Sequence, residues 1–260
     1  MSLPNFPDKY TGKAILTPQH MLAYRQGAGM LPKGAGPDAA ILCLQRGLPE
    51  RLKRRHPLRQ IGRLNGDLFS LHKAPGNLAV LTNFGLGAPQ MAGLAEELIA
   101  WGARKLISIS MAGGLQADLA PGDIVVCDRA LRDEGTSHHY LPAAKFVEAN
   151  AELVASLSSG VKARKVPSIV GATWTTDATF RETDIEVRQY QSEGVKTVEM
   201  ETAALFAVAQ VRGIQAASIF VVGDSLAGGE WRAPQDLRLL DRSFDIVYDA
   251  TIEALSDAAS

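Results

Sequence analysis

Unbroken apolar runs recur along the chain, each followed by a polar or glycine-rich break and, in several cases, by apolar residues at helical spacing. Residues 39–44 (AAILCL) form the first run. A strand facing water on one side would alternate apolar and polar positions, so a continuous run suits a strand covered on both faces. The basic segment GLPERLKRRH after it reads as a turn and then a helix. Residues 78–82 (LAVLT) repeat the pattern with stronger punctuation. Their run ends in GLGA, Pro89 stands at a first helical position, Met91, Leu94, Leu98 and Ile99 recur at helical spacing, and Gly102 supplies a stop. Another strand then starts over residues 106–109. A strand, helix, strand unit of about thirty residues implies a right-handed crossover and a largely parallel sheet. Runs at 124–127, 169–174 and 217–222 extend the pattern, so the fold class is α/β.

Length and charge narrow the picture. A chain of 260 residues with 46% hydrophobic content holds one full α/β domain, expected over residues 38–260, with the Gly- and Pro-rich residues 1–37 as an irregular lead-in. Lysine and arginine number 27 against 28 acids, which leaves no excess of positive charge to hold a nucleic-acid backbone. The opening MSLPNFPDKYTGK lacks the apolar core of a signal peptide, and no later run approaches a membrane span; a soluble, cytoplasmic protein without a membrane partner is expected. Cys43 and Cys127 lie in apolar runs without CxxC or histidine spacing, as buried free thiols do, and no metal site is expected.

In open α/β sheets ligands gather beyond the carboxyl ends of the strands, so chemistry is sought in the segments after each run. One such segment is VEMETAALFAVAQVRG, which sets Glu199 and Glu201 two residues apart around Met200. In extended backbone such residues point to one side, and two carboxylates facing one pocket can accept the hydrogen bonds of a vicinal diol. Alternatively the acids simply mark a helix start. The helix that follows is apolar on nearly all sides, which argues against a surface position. Asp224 closes the run AASIFVV before SLAGG, a turn former unless it carries chemistry. In TTDATFRET, Phe180 suits stacking on a flat ring and Arg181 suits donation to carbonyl oxygens, with a core phenylalanine beside a solvated arginine as the alternative. His138 and His139 fit a surface loop as well as a site.

VEMETAALFAVA resembles the signature of the nucleoside phosphorylase family, which includes uridine phosphorylases, hexameric purine nucleoside phosphorylases and adenosylhomocysteine/methylthioadenosine nucleosidases. FGLGAPQMAGLAEEL, SMAGGLQADLAPGDIVV, RDEGTSHHYLP and VVGDS support the likeness in order along the chain. The resemblance implies a three-layer α/β/α sandwich around a mixed, mainly parallel sheet, in a homo-oligomer such as a dimer-based hexamer. It implies a pentosyltransferase that cleaves a purine or pyrimidine ribonucleoside with phosphate, releasing base and ribose 1-phosphate, in nucleoside salvage. The implied partners are a nucleoside and, as co-substrate rather than cofactor, phosphate. Glu201 and Met200 would hold the ribose with Glu199 in support. Phe180 and Arg181 would bind the base, and Asp224 or Arg181 would help it depart, since a purine leaves readily once N7 is protonated.

The phosphate end departs from the family's pattern. Gly47 and Arg51, with Gly87, fit the expected anion cradle. Ser108 stands where a second arginine is expected, and Met111 where a hydroxyl is expected. The AGGL that follows is closer to the nucleosidases, which attack with water, and Glu50 is the acid near the first turn that could activate it. Arg63 or a neighbouring subunit could restore the missing cation. Three readings therefore stand: phosphorylase, nucleosidase, and a non-catalytic nucleoside-binding protein on the same fold.

Overall fold

The computed structural model describes residues 6, 9–32, 35–45, 56–71 and 77–256. β1 (Ala39–Cys43) and β4 (Leu78–Thr82) are buried at every position, as their continuous apolar runs require. They pair in parallel, and β1 pairs on its other side with β5 (Lys105–Gly114), which in turn lies parallel to β10 (Gln215–Ser225). Antiparallel neighbours complete a mixed sheet. A hairpin of β2 (Leu58–Arg63) and β3 (Asp67–Leu71) flanks β4, and β6 (Ile124–Asp133) runs against β10. β6 also pairs with the short β7 (Phe146–Glu148) and lies parallel to β8 (Ser168–Thr176). Finally β9 (Thr197–Glu199) bridges β8 back to β5, so β5, β10, β6, β8 and β9 close on themselves as a ring at one end of the sheet.

Side chains of each strand alternate between two cores. Ala40, Leu42, Leu81 and Phe220 face α2 (Ala88–Trp101) and α5 (Thr202–Arg212); Ile41, Val80, Ile107 and Val221 face α3 (Ala151–Ala163) and α6 (Leu237–Ser256). Helices on both faces give the expected three-layer sandwich. In α6, Leu240, Phe244, Val247, Tyr248, Thr251 and Leu255 recur every three or four residues and are all buried, a single stripe against the sheet. α2 ends at Gly102, where φ of +137° excludes most side chains, and α4 (Asp184–Ser192) starts with a reciprocal capping box between Thr183 and Glu186.

Two features go beyond the apolar pattern. Within the lead-in expected to be irregular, α1 (Pro18–Gly27) forms behind a Thr17 cap and packs on α2 through an Arg25–Glu97 ion pair of 2.9 Å. The β2–β3 hairpin has few apolar positions on its outer strand, which is why no run announces it. The helix read into residues 46–55 lies outside the described residues. Cys43 and Cys127 are free and buried, and burial pushes the Cys43 thiol up to about 12. Among the described residues no helix is long and apolar enough to cross a membrane.

Candidate active site

A cavity of about 770 Å³ opens beyond the carboxyl ends of β1, β5 and β10 and is floored by the turn from β9 into α5. That turn decides which carboxylate faces it. β9 stops at Glu199, and Glu201, the residue before α5, has φ −131° and ψ −33°. The extended geometry that would aim both acids the same way is broken there. Glu201 is 5% exposed; its Oε1 accepts the Gly87 N–H at 2.6 Å and its Oε2 accepts the Met200 N–H at 3.2 Å.

Glu199 touches the cavity wall, but protein groups engage its acceptors. Oε1 takes the Thr175 hydroxyl at 2.6 Å, and Oε2 takes the N–H groups of Glu201 and Thr202 and the Thr202 hydroxyl, each at 2.8 Å. It therefore satisfies N–H groups at the start of α5 and sets a negative charge against the helix dipole. It thereby holds the backbone that carries Glu201, where the sequence suggested two carboxylates with acceptors open to one pocket. Burial, and then the charge of Glu201, push Glu199 up to about 7. Burial also raises Glu201, opposed by the N–H bonds of Gly87 and Met200. The pair thus keeps a proton to higher pH than ordinary carboxylates do.

Gly87 has φ of +97°, open to glycine and strained for other residues, and this conformation aims its N–H at Glu201. Its one donor is therefore on the Glu201 carboxylate, and Gly87 does not line the cavity, in contrast to the anion contact expected of it. Met200 does line it, and its sulfur accepts the Thr179 hydroxyl at 3.2 Å.

Where β10 meets β5 the register shifts between Val222 and Asp224, so Gly223 is an extra residue and Asp224 comes to oppose Gly113. Such a bulge re-aims the side chain that follows it. Asp224 lines the cavity, and its Oδ2 accepts the Trp231 indole N–H at 2.5 Å. Residues 179–181 form a 3₁₀ turn, in which positions three apart eclipse, so Thr179 and Glu182 fall on the cavity side together. Arg181 is exposed and takes no part in the lining, contrary to the base-binding and catalytic roles expected of it. Phe180 is 99% exposed where it lines the cavity.

Glu182 is the functional candidate that the sequence did not disclose. It is half-buried in the cavity wall, and burial, followed by the charges of Asp224 and Glu186, pushes it up to about 7. Beside an exposed arginine in a polar loop, it carries no pattern that separates it from a solvated acid. Trp231 was equally silent, because a turn through Gly228 and Gly229 brings it back to Asp224.

Among the described residues, the end of the cavity expected to take an anion is short of cations. Ser108 is 1% exposed and shares a 2.6 Å hydrogen bond with Ser218, so its hydroxyl serves the sheet interior and not the cavity. Ser110, two residues on, does line it. Met111 lies on Gly223, where a Cβ would sit 2.2 Å from its sulfur. Arg63 is a surface residue 3.6 Å from Asp67 on the β2–β3 hairpin and does not reach the cavity. No lysine, arginine or histidine is among the described lining residues, whereas Glu182, Glu199, Glu201 and Asp224 all are. Gly47, Glu50 and Arg51 lie outside the described residues; Leu44 and Gln45, just before them, line the cavity. His138 bonds Arg132 and His139 bonds Lys9, both away from this wall.

A buried carboxylate steadied by backbone N–H groups beside a methionine, facing an apolar cavity at strand carboxyl ends, defines a small-molecule site of the α/β enzyme type. The sequence profile of the phosphorylase superfamily matches residues 42–251. A guanosine phosphorylase of Halorubrum lacusprofundi is 32% identical over 180 residues, covering 67% of this chain and 73% of that protein. A DeoD-type purine nucleoside phosphorylase of Bacillus cereus is 28% identical over 65% of this chain and 73% of its own length. A uridine phosphorylase of Haemophilus influenzae is 27% identical over 55% and 63%. The crystal structure of a uridine phosphorylase from Vibrio fischeri superposes with a TM-score of 0.70 at 23% identity, over 85% of this chain and 90% of that one, and shares the fold. The chain belongs to the phosphorylase superfamily, and its relatives there are nucleoside phosphorylases.

Proposed function

We propose that the protein cleaves the N-glycosidic bond of a purine ribonucleoside with inorganic phosphate, giving free base and ribose 1-phosphate. The observation that carries this reading is Glu201, a buried carboxylate oriented toward the cavity by Gly87 and Met200. Its two oxygens suit the two ribose hydroxyls, with the Met200 side chain against the sugar. Asp224, which also lines the cavity, would give a proton to the departing purine, and Phe180 would cover its face. As the bond lengthens, positive charge grows on the sugar, and Glu201 stabilises it where it forms. Phosphate, held by Gly47 and Arg51 on the segment after Gln45, traps the sugar. The enzyme would work in the cytoplasm as a homo-oligomer, a dimer-based hexamer, in nucleoside salvage, with no cofactor.

The absence of a cation among the described lining residues favours a second reading, in which water attacks and free ribose is released. Product analysis separates them. Incubated with guanosine, inosine, adenosine and uridine, the protein should yield ribose 1-phosphate and no base without phosphate. Free ribose at a rate independent of phosphate would overturn the phosphorylase reading in favour of hydrolysis.

A further inference from the structure

The base end of the cavity is anionic. Glu182 and Asp224 converge on it from the 179–182 turn and the β10 bulge, close enough that the charge of Asp224 bears on Glu182. The remaining wall here is apolar: Leu226, Val198 and the faces of Phe180 and Trp231. The Trp231 N–H is already on Asp224, and no described residue donates to the Glu182 carboxyl. In its ionised form Glu182 can only accept, and an acceptor in an apolar wall calls for a ligand that donates. We infer that Glu182 selects a purine with adjacent ring N–H and exocyclic amino donors, guanine being the best fit, and that it reads this edge while Asp224 serves the N7 side.

The inference rests on the nucleoside-cleaving role proposed above and adds its substrate class. Guanine offers N1–H and the 2-amino group side by side, matching the two oxygens of one carboxylate as a bidentate pair. Hypoxanthine lacks the amino group. Uracil flanks its single N–H with two carbonyl oxygens, which would face Glu182 and Asp224 acceptor to acceptor. Sites built to bond a particular donor reject the analogue lacking it strongly, because their own group is left unpaired.

The test compares guanosine with inosine and uridine, at saturating phosphate, in the parent and in Glu182→Gln. The parent should favour guanosine over inosine by about tenfold or more in kcat/KM, and Glu182→Gln should shrink that ratio by roughly tenfold, since its amide turns a donor toward the 2-amino group. A parent ratio near one, or an unchanged ratio in the variant, would sink the inference while leaving nucleoside cleavage standing. Should no nucleoside be cleaved, the proposed function fails, and calorimetric titration with the same three nucleosides decides the inference separately. Guanosine binding selectively to the parent but not to Glu182→Gln supports it; equal affinities overturn it.

Discussion

Glu201→Gln is the most direct perturbation of the site. The parent carboxylate accepts Gly87 N–H at 2.6 Å and Met200 N–H at 3.2 Å, and it lines the cavity. Gln has the same shape but one acceptor oxygen and one NH₂ group. The oxygen should stay with the shorter Gly87 bond, leaving the NH₂ against the Met200 N–H, donor to donor. Two charge-assisted bonds to the ribose hydroxyls are worth about 1.5–3 kcal/mol each. Replacing them with one neutral bond and one mismatched contact should cost roughly 3 kcal/mol in the transition state, or about 100-fold in kcat/KM. The assay is initial-rate release of base from guanosine and from 2′-deoxyguanosine. The parent should prefer the ribonucleoside, and the variant should lose much of that preference along with its rate. Folding should survive, because removing a charge next to buried Glu199 relieves repulsion. A well-folded variant with kcat/KM within about threefold of the parent, or with the 2′-hydroxyl preference intact, would remove Glu201 from ribose binding.

Asp224→Asn should slow purine nucleosides far more than uridine, as judged by kcat on each; equal losses would mark Asp224 as a mere partner of Trp231. Arg51→Ala should raise the phosphate KM by about 10- to 100-fold, in line with one charged contact, whereas hydrolysis would leave phosphate without effect. The buried pair also predicts a pH signature. Glu199 titrates near 7 in the folded chain against an ordinary 4.5, so between those values the folded state binds more protons than the unfolded one, and this contribution to stability falls as pH rises. Thermal midpoints measured from pH 5 to 7.5 should decline more steeply in the parent than in Glu201→Gln, where the repelling charge is gone, and parallel curves would contradict the coupling.

Much of the architecture was written in the order of residues. All-apolar β1 and β4, the Gly87–Pro89 start and Gly102 stop of α2, and the acid, methionine, acid motif before α5 follow from local chemistry acting over a few residues. The resemblance to the family signature marked Glu201, Met200, Phe180 and Asp224, all of which line one cavity although they come from three separate segments. What tertiary structure decided were the directions of side chains and the meetings of distant ones. Glu199 and Glu201 look alike in sequence, yet a turn after β9 gives one to the helix start and the other to the cavity. Arg181 and Glu182 are neighbours in a polar loop, and only the handedness of a single 3₁₀ turn sends the acid inward and leaves the arginine in water. Ser108 stands where an anion-binding arginine was expected, and the pairing of β5 with β10 sets its hydroxyl against Ser218. Sequence periodicity reports which residues are apolar, and so which elements form and which face is buried. The carboxylates of this site differ only in where the closed ring of β5, β10, β6, β8 and β9 aims them, a property of pairing between strands far apart in the chain.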